Sequence, residues 1–408
     1  MAGPGLEMLG LEELAQVREV LESGYLARYG PDEGFPAKVR SFEEEVVRRA
    51  GVRHALAVNS GTSALYLALT GLGIGPGDEV IVPGFTFVAS MSAVVYARAR
   101  PVPAEIDRSY NLDPDDVEAR IGPRTRAVIA VHMLGNPARL DKLKKLADHR
   151  GLALIEDAAQ AFGATYQGRW VGGHGAAGIF SFNIYKTITC GDGGMLVTDD
   201  EALYRRCFAM HDQGHSPHRL GVEIGHRPLL GLNFRMVELQ GAVLMAQIGK
   251  LDCILGHLRR NRDIVLEALA GVEGIEFAER PDPEGDLGTH LVVVFPTAGV
   301  ARSVAAELGS ITLAESGWHV YNHMEHLLGG RTATGRGCPF ECPATDPRGP
   351  RYRKGMLPRT DDLLERSMSI GIGVVDPNLA PLGLGMRASA DRAHRLAARI
   401  RGVLARYL

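Results

Sequence analysis

Cysteine is scarce in this sequence, and its scarcity argues against one class of protein. Only 5 of the 408 residues are cysteine, an odd number with irregular spacing. Small secreted scaffolds that rely on disulfides carry an even and much denser set. The composition therefore favours a reducing compartment, with unpaired thiols at Cys338 and Cys342. Those two cysteines could also form half of a zinc site, but no second cysteine pair exists to close it.

Strong charge of one sign and long apolar runs are missing as well. The formal net charge is −3, so neither nucleic acid nor an anionic membrane is expected as a partner. No uncharged apolar run approaches the ~20 residues that a membrane helix requires. The first residues lack a basic segment followed by an apolar one, so no secretory signal is predicted. These absences favour a cytoplasmic location.

Short apolar strands alternate with helical segments from residue 51 onward. Strands are predicted at 55–58, 79–82, 102–107, 127–132 and 152–156, and a long helix at 234–252. Alternation of this kind is typical of a mostly parallel sheet covered by helices on both faces. The pattern changes after about residue 255. The sequence therefore predicts an α/β protein with a large domain over residues 1–255, including an N-terminal helical segment, and a smaller C-terminal α/β domain over 256–408.

The residues that follow the predicted strands are the candidates for chemistry, because ligands of open α/β sheets bind beyond the carboxyl ends of the strands. Gly61 and Thr62 open a helix after the first strand, where free N–H groups attract phosphate, although a simple helix cap explains them too. Phe87 follows the second strand and could lie flat on a ring, or could be a core aromatic. Asp157 follows a strand at 152–156 and needs a cation if it is buried, or it caps a helix.

Lys186 stands between an apolar run at 176–182 and the glycines of 191–194. A lysine in an apolar pocket can be neutral and attack a carbonyl, whereas a lone lysine is more often a surface residue. Ser181, five residues earlier, adds a hydroxyl for a phosphate. Phosphate cradle, ring platform, acid and amine are the parts that pyridoxal 5′-phosphate requires. The combination favours the pocket lysine over the surface one.

Five motifs resemble those of the DegT/DnrJ/StrS sugar aminotransferase family, which belongs to the fold-type I pyridoxal-phosphate enzymes. The motifs are Asn59-Ser-Gly-Thr, Val82-Pro-Gly-Phe-Thr-Phe-Val-Ala, Glu156-Asp-Ala-Ala-Gln, the run from Ser181-Phe through Lys186 to Gly193-Gly, and Gly231-Leu-Asn-Phe-Arg-Met. The resemblance implies a homodimer whose active sites lie at the subunit interface. The residues that it gives to the cofactor are the Schiff-base lysine and acid/base Lys186, its pyridinium partner Asp157, the ring contacts Gln160 and Phe87, and the phosphate ligands Gly61, Thr62, Ser181 and, from the partner subunit, Asn233.

The implied reaction is a ping-pong transfer of an amino group from glutamate or glutamine to a keto-sugar, either nucleotide-linked or a free octulosonate-like sugar. A cyclitol ketone, as in aminoglycoside pathways, is an alternative acceptor. Family members that catalyse a dehydration carry histidine in place of the lysine, so Lys186 disfavours that branch. A non-catalytic binding protein on the same scaffold is the remaining alternative, and it would lack the visible band of the lysine-bound cofactor.

A histidine- and aromatic-rich segment, 318–326, is the candidate for substrate contacts. His319, Tyr321 and His323 are expected to bind sugar hydroxyls, and His215 is a further candidate. Spacings of four and three between His319, His323 and His326 would also allow a metal site. The sugar-binding interpretation is favoured, and no metal is expected.

Overall fold

The computed structural model describes residues 3–30, 34–217, 225, 227–333, 338–341 and 351–408. The strands are β1 (His54–Val58), β2 (Glu79–Pro83), β3 (Arg100–Ala104), β4 (Thr125–Val131), β5 (Ala153–Asp157), β6 (Thr165–Tyr166), β7 (Arg169–Trp170), β8 (Ala177–Ser181), β9 (Gly194–Thr198), β10 (Glu276–Phe277), β11 (His290–Val294), β12 (Ser367–Ile372) and β13 (Gly383–Leu384). The helices are α1 (Pro4–Glu7), α2 (Leu11–Ser23), α3 (Lys38–Ala50), α4 (Gly61–Gly71), α5 (Val88–Tyr96), α6 (Pro114–Arg120), α7 (Leu140–Arg150), α8 (Glu201–His211), α9 (Glu238–Gly249), α10 (Leu251–Leu269), α11 (Ala298–Leu308), α12 (Glu325–Leu328), α13 (Pro358–Glu365) and α14 (Ala390–Leu404).

A seven-stranded sheet forms the centre of the molecule, in the order β1-β9-β8-β5-β4-β2-β3. The four pairings among β3, β2, β4, β5 and β8 are parallel, and the two pairings that add β9 and β1 are antiparallel. The predicted large, mostly parallel α/β sheet is confirmed. Its parallel strands direct their carboxyl ends to one edge, where the site lies.

Apolar side chains cover both faces of this sheet. Along β1, Ala55 and Ala57 belong to one buried cluster, while Leu56 and Val58 belong to the cluster on the opposite face. Successive residues of a strand point to opposite faces, so a strand buried on both sides reads as a continuous apolar run. The sheet is therefore a rigid support for the loops at its edge.

A second, four-stranded sheet has the order β10-β11-β12-β13. Its pairings are antiparallel except for β12 with β13, and α10, α11 and α14 pack around it. Two loops of this part, 316–321 and 373–379, reach the candidate site. Helix α10 spans residue 255, and the division into domains at that residue stays a prediction.

Two features differ from the sequence analysis. The helix expected over 234–252 is two helices, because α9 ends at Gly249 and α10 begins at Leu251, with Lys250 between them. Cys338 is disulfide-bonded, so the prediction of a free thiol there was wrong, while Cys342 lies outside the described residues. Cys190, Cys207 and Cys253 are free. None of the helices that the structure describes is long and apolar enough to cross a membrane.

Candidate active site

A cavity of about 600 Å³ lies at the carboxyl edge of the large sheet and extends to the small-sheet loops. It brings together residues that are up to 319 positions apart in the sequence, since Ser60 and Leu379 both line it. The predicted site residues that line the cavity are Gly61, Thr62, Phe87, Asp157, Gln160, Ser181, Lys186 and His319.

The start of helix α4 forms one end of the cavity. Ser60 caps the helix, and its hydroxyl accepts a hydrogen bond from the Ser63 N–H at 3.1 Å. The N–H groups of Gly61 and Thr62 precede the first intrahelical bond, so they can donate to a ligand. A Cβ on Gly61 would lie 2.9 Å from the Ser181 Cβ, which shows how closely the helix approaches β8. This end of the cavity has the donors and the dipole that a phosphate requires.

Asp157 ends β5 and is 5% exposed. Its Oδ2 accepts a hydrogen bond from the Ser90 hydroxyl at 2.7 Å, and its Oδ1 accepts one from the Ala159 N–H at 3.1 Å. Burial raises the pKa of this carboxyl above its ordinary value, and the two hydrogen bonds and Lys186 only partly oppose that shift. A buried carboxylate in this state gains free energy from any cation that enters the cavity beside it.

Gln160 is oriented by the loop that follows β4. Its Oε1 accepts a hydrogen bond from the Leu134 N–H at 2.9 Å, which leaves the amide NH₂ as the group available to a ligand. Leu134 has a φ of 61°, in the left-handed region that bulky residues rarely adopt. Its carbonyl accepts a hydrogen bond from Thr289 Oγ1 at 2.8 Å. The large and small sheets therefore hold this loop from both sides.

Lys186 lies on the loop between β8 and β9 and lines the cavity. Burial lowers the pKa of its amine, and the carboxylates of Asp157 and Asp376 partly oppose the shift. The segment 3–5 packs on the outside of the same loop: the Gly3 N–H donates to the Ile184 carbonyl at 2.8 Å. A Cβ at Gly3 or Gly5 would collide with backbone atoms of this loop.

The rings of Phe87 and His319 form an aromatic wall of the cavity. Phe87 is 43% exposed, and the centre of its ring lies 5.4 Å from that of His319. The Thr86 N–H donates to the His319 carbonyl at 2.9 Å, so the two segments are joined through their backbones. Burial lowers the pKa of His319 to about 4. This imidazole is therefore neutral at physiological pH.

Four predicted residues do not line the cavity. Tyr321 is fully buried, and its hydroxyl donates to Asp361 Oδ2 at 2.9 Å and accepts from the Leu357 N–H at 3.0 Å. The expectation that Tyr321 contacts substrate is therefore not supported, because its polar atom is already used within the protein. His323 pairs through Nδ1 with the Gly317 carbonyl at 3.0 Å.

The other two lie on the segments after α8. His215 is 7% exposed, and its N–H donates to the Asp212 carbonyl. Asn233 is exposed, and its Oδ1 accepts a hydrogen bond from the Arg235 N–H at 3.2 Å. An exposed Asn233 is compatible with the predicted contact to a partner subunit.

Sequence reasoning missed three residues of interest at the site, of which His290 and Asp376 line the cavity and Ser90 contacts Asp157. Ser90 is buried in the first turn of α5 and donates to Asp157. His290 begins β11, and burial lowers the pKa of its imidazole to about 4. Asp376 lies in a turn after β12. Ser90 had a usable signal, since it lies one helical turn beyond Phe87, but no local pattern marked the other two.

No three histidine, cysteine, aspartate or glutamate side chains gather as a metal site within the part of the chain that the structure describes. His319 and His323 each direct Nδ1 at a backbone carbonyl of the segment 316–317.

Comparison with known proteins places these observations in a family. The model of the DegT/DnrJ/EryC1/StrS aminotransferase family matches residues 8–310. The dTDP-3-amino-3,4,6-trideoxy-alpha-D-glucose transaminase of Streptomyces venezuelae is 42% identical over 292 residues, which cover 71% of this chain and 73% of that protein. The GDP-perosamine synthase of Caulobacter vibrioides is 43% identical over 212 residues, 52% of this chain and 56% of the relative.

A solved structure has the same overall fold. The crystal structure of S. venezuelae DesV in complex with a ketimine intermediate aligns with a TM-score of 0.76 and 34% sequence identity, covering 97% of this chain and 94% of that one.

Proposed function

The chain belongs to the DegT/DnrJ/EryC1/StrS aminotransferase family and is an aminotransferase, and from that premise we propose that it uses pyridoxal 5′-phosphate to aminate a nucleotide-linked keto-sugar. The amino donor is glutamate or glutamine, and donor and acceptor react in turn. The observation that carries the proposal is the single cavity in which Lys186 and Asp157 meet the free start of α4.

The side chains of the cavity fit this cofactor. The N–H groups of Gly61 and Thr62 and the Ser181 hydroxyl would hold its phosphate. The Gln160 amide would contact the ring hydroxyl, and Phe87 would stack on the ring. When bound, pyridoxal 5′-phosphate supplies an aldehyde that joins to amines and a ring that withdraws electrons.

Asp157 and Lys186 carry the proton chemistry. The pKa of the Asp157 carboxyl is raised by burial, and a protonated ring nitrogen is the cation that would restore its charged form. The pKa of the Lys186 amine is lowered by burial, so the neutral amine can take the proton from the substrate carbon that bears the amino group, and can give a proton to the sugar carbon in the second half-reaction. Ser90 holds the Asp157 carboxylate in place.

Two arguments support a nucleotide-linked acceptor over the free octulosonate-like sugar and the cyclitol ketone. The two relatives named above are enzymes of dTDP- and GDP-linked amino sugars. Trp318 lines the cavity yet is 61% exposed, so a flat base outside the cavity would find an aromatic surface. His319 would contact the sugar, and His323 and His215 remain outer candidates.

The assembly and location complete the proposal. We infer a cytoplasmic homodimer in which Asn233 of the partner subunit reaches the phosphate. Exposed apolar side chains on α2 and near Asn233, namely Leu11, Leu14, Leu230 and Leu232, support a partner subunit on this side. The domain division at residue 255 belongs to the same proposal.

The proposal is tested by following the cofactor spectrum of the purified protein. Wild-type protein loaded with pyridoxal 5′-phosphate should lose its visible band with L-glutamate and regain it with a dTDP-linked keto-hexose. Lys186→Ala should lose amino transfer by ~10²- to 10⁴-fold or more, because the amine and its proton are gone. Lys144→Ala, which removes an exposed lysine paired with Asp148, is the matched control.

The same measurements can refute the proposal. An active Lys186→Ala protein would overturn the assignment of Lys186. A wild-type protein that binds the cofactor but releases no 2-oxo acid from glutamate or glutamine would point instead to a dehydratase or to a binding protein.

A further inference from the structure

Asp376 is held at the cavity by a short turn after β12. Its Oδ1 accepts a hydrogen bond from the Asn378 N–H at 2.8 Å, and its carbonyl accepts one from the Ala380 N–H at 2.8 Å. No donor contacts its Oδ2 in the ranges that the structure describes. The carboxylate is partly exposed and lines the cavity. The turn thus fixes one oxygen and leaves the other available to a ligand.

His319 lines the same cavity from the other small-sheet loop. Its Nδ1–H donates to the Ser316 carbonyl at 3.1 Å. With that tautomer, the Nε2 of the neutral ring is a hydrogen-bond acceptor. Asp376 and His319 both line the cavity, so the small-sheet loops present two acceptors to a ligand.

The charged side chains that line the cavity are mostly carboxylates, which are also hydrogen-bond acceptors. Among the described residues that line it, the carboxylates are Asp157, Asp192 and Asp376, and Lys186 is the one lysine or arginine. Asp192 already receives a hydrogen bond from the Asn183 amide at 2.9 Å. Asp157 has both oxygens bonded, whereas Asp192 and Asp376 each keep one oxygen without a donor among the described residues. Of these two, Asp376 is the one on the small-sheet loops that also carry His319.

We propose that Asp376 is a specificity-determining residue that accepts a hydrogen bond from a hydroxyl or ammonium group on the ring of the amino acceptor. The inference rests on the proposed function and narrows its substrate class. An acceptor with only C–H at this position would remove water from a carboxylate without replacing the lost hydrogen bonds. A deoxygenated carbon is therefore disfavoured there.

The Asp376 carboxylate should weaken binding of the amino donor, whereas it strengthens binding of the acceptor. Glutamate brings carboxylates into a cavity in which Asp376 already carries negative charge near Lys186. Like charges at short range repel each other in a site shielded from water. Removing the charge should help the donor half-reaction while it harms the acceptor half-reaction, and a general loss of structure would not produce that pair of effects.

The test measures the two half-reactions separately in Asp376→Asn. Asparagine keeps an oxygen for the Asn378 N–H, so the turn is preserved. With L-glutamate, KM should stay unchanged or fall. With a dTDP-linked keto-hexose, KM should rise about tenfold, as expected for one lost hydrogen bond to a charged group. The control is Asp200→Asn, outside the cavity, where Asp200 caps α8 and asparagine caps equally well.

A matched series of dTDP-linked keto-hexoses, with hydroxyl, amino or hydrogen at one ring carbon at a time, identifies the group that Asp376 contacts. In the wild type, hydrogen at the contacted carbon should raise KM about tenfold; in Asp376→Asn the same change should have little further effect. A larger loss for the amino sugar than for the hydroxyl sugar in Asp376→Asn identifies an ammonium contact, and the reverse identifies a hydroxyl.

Two results overturn the inference alone: an unchanged acceptor KM in Asp376→Asn, or donor and acceptor KM values that rise together, in a protein whose wild type runs both half-reactions. A wild type that releases no 2-oxo acid from glutamate refutes the proposed function, and the inference falls with it.

Discussion

Two adjacent carboxylates on β5 have pKa values shifted in opposite directions. Glu156 is fully buried, and burial alone would raise its pKa, but hydrogen bonds from His132 Nε2 and from the Gly172 and Gly175 N–H groups lower it below its ordinary value. Asp157 points to the other face of the sheet and its pKa is raised. Glu156 is therefore satisfied within the protein, whereas Asp157 requires a cation from a ligand.

Asp157→Asn should stabilise the cofactor-free protein at neutral pH. The folded-state pKa of Asp157 lies above its ordinary value of 3.8, so the folded state is penalised as pH rises from 3.8 through the raised pKa. The variant should gain roughly 1.4 kcal/mol for every unit of that shift, and the gain should disappear below pH 3.8. Urea unfolding of both proteins across pH 3–8 measures the difference.

Glu156→Gln is the control for Asp157→Asn, because it should lower the unfolding free energy at neutral pH instead of raising it. The lowered pKa of Glu156 stabilises the fold above its ordinary value of 4.5, and that stabilisation is lost as pH falls through the folded-state pKa. The variant should lose about 3 kcal/mol at neutral pH and less in acid. Equal effects of the two substitutions would contradict the assignment of their roles.

The residues that follow strands were predictable, while those on the facing loops were not. The carboxyl-end rule found Gly61, Phe87 and Asp157 because a parallel sheet brings successive strand ends to one edge. Asp376 belongs to the small sheet, and in the sequence it is an ordinary turn aspartate before a proline. Its approach to the cavity is set by packing between distant elements, which no local pattern records.

At the scale of elements, the helices and strands with a strong apolar periodicity were the ones predicted correctly from the sequence. The apolar pattern predicts helices over residues 11–23 and 140–150, and helices α2 and α7 begin and end at those residues. The short edge strands β10 and β13 and the helices α6 and α13 were not predicted, because two to eight residues are too few to establish a period. The break at Lys250 was missed because apolar positions continue on both sides of it.

Two glycines are present for different reasons: Gly194 is closely packed, whereas Gly256 lies inside a helix with space for a side chain. A Cβ at Gly194 would collide with the backbone of Ser60, which caps α4, whereas nothing lies within 4 Å of a Cβ at Gly256 inside α10. Gly194→Ala should lower the unfolding free energy by about 1–3 kcal/mol and weaken binding of pyridoxal 5′-phosphate, because the start of α4 must move. Gly256→Ala should raise the unfolding free energy by about 0.5–1 kcal/mol without changing the affinity for pyridoxal 5′-phosphate.

Thermal unfolding with and without cofactor, together with a fluorescence titration, measures both quantities. Normal cofactor affinity in a destabilised Gly194→Ala protein would show that the start of α4 is not part of the phosphate site.

At the scale of the whole molecule, the proposed dimer makes each site depend on two chains. The resemblance of the motifs to the aminotransferase family is confirmed by the family match over residues 8–310. The acceptor and the subunit contacts could not be read from the sequence, because both depend on exposed loops. If Asn233 contributes to the site of the partner subunit, each active site is shared between two chains; if it does not, each chain carries a complete site.

Mixing two inactive variants tests this sharing. Lys186→Ala and Asn233→Ala subunits that exchange should form heterodimers with one intact site, so an equal mixture should recover about a quarter of wild-type activity. Each variant alone should stay at its low level, and a mixture of Lys186→Ala with Asp157→Asn, whose defects lie in the same chain's cavity, should recover far less. No recovery in the first mixture would contradict a shared site.

The packing of Gly3 and Gly5 against the loop that carries Lys186 has a practical consequence for anyone who produces the enzyme. Bulk added at these glycines would press on the backbone of the loop that carries Lys186, where even one methyl group has no room. The last helix ends at Leu404, and Leu408 is 47% exposed. We therefore expect a tag attached after Leu408 to disturb the loop of Lys186 less than one near Gly3, and equal kinetic constants for the carboxyl-terminally tagged and tag-free proteins would confirm this.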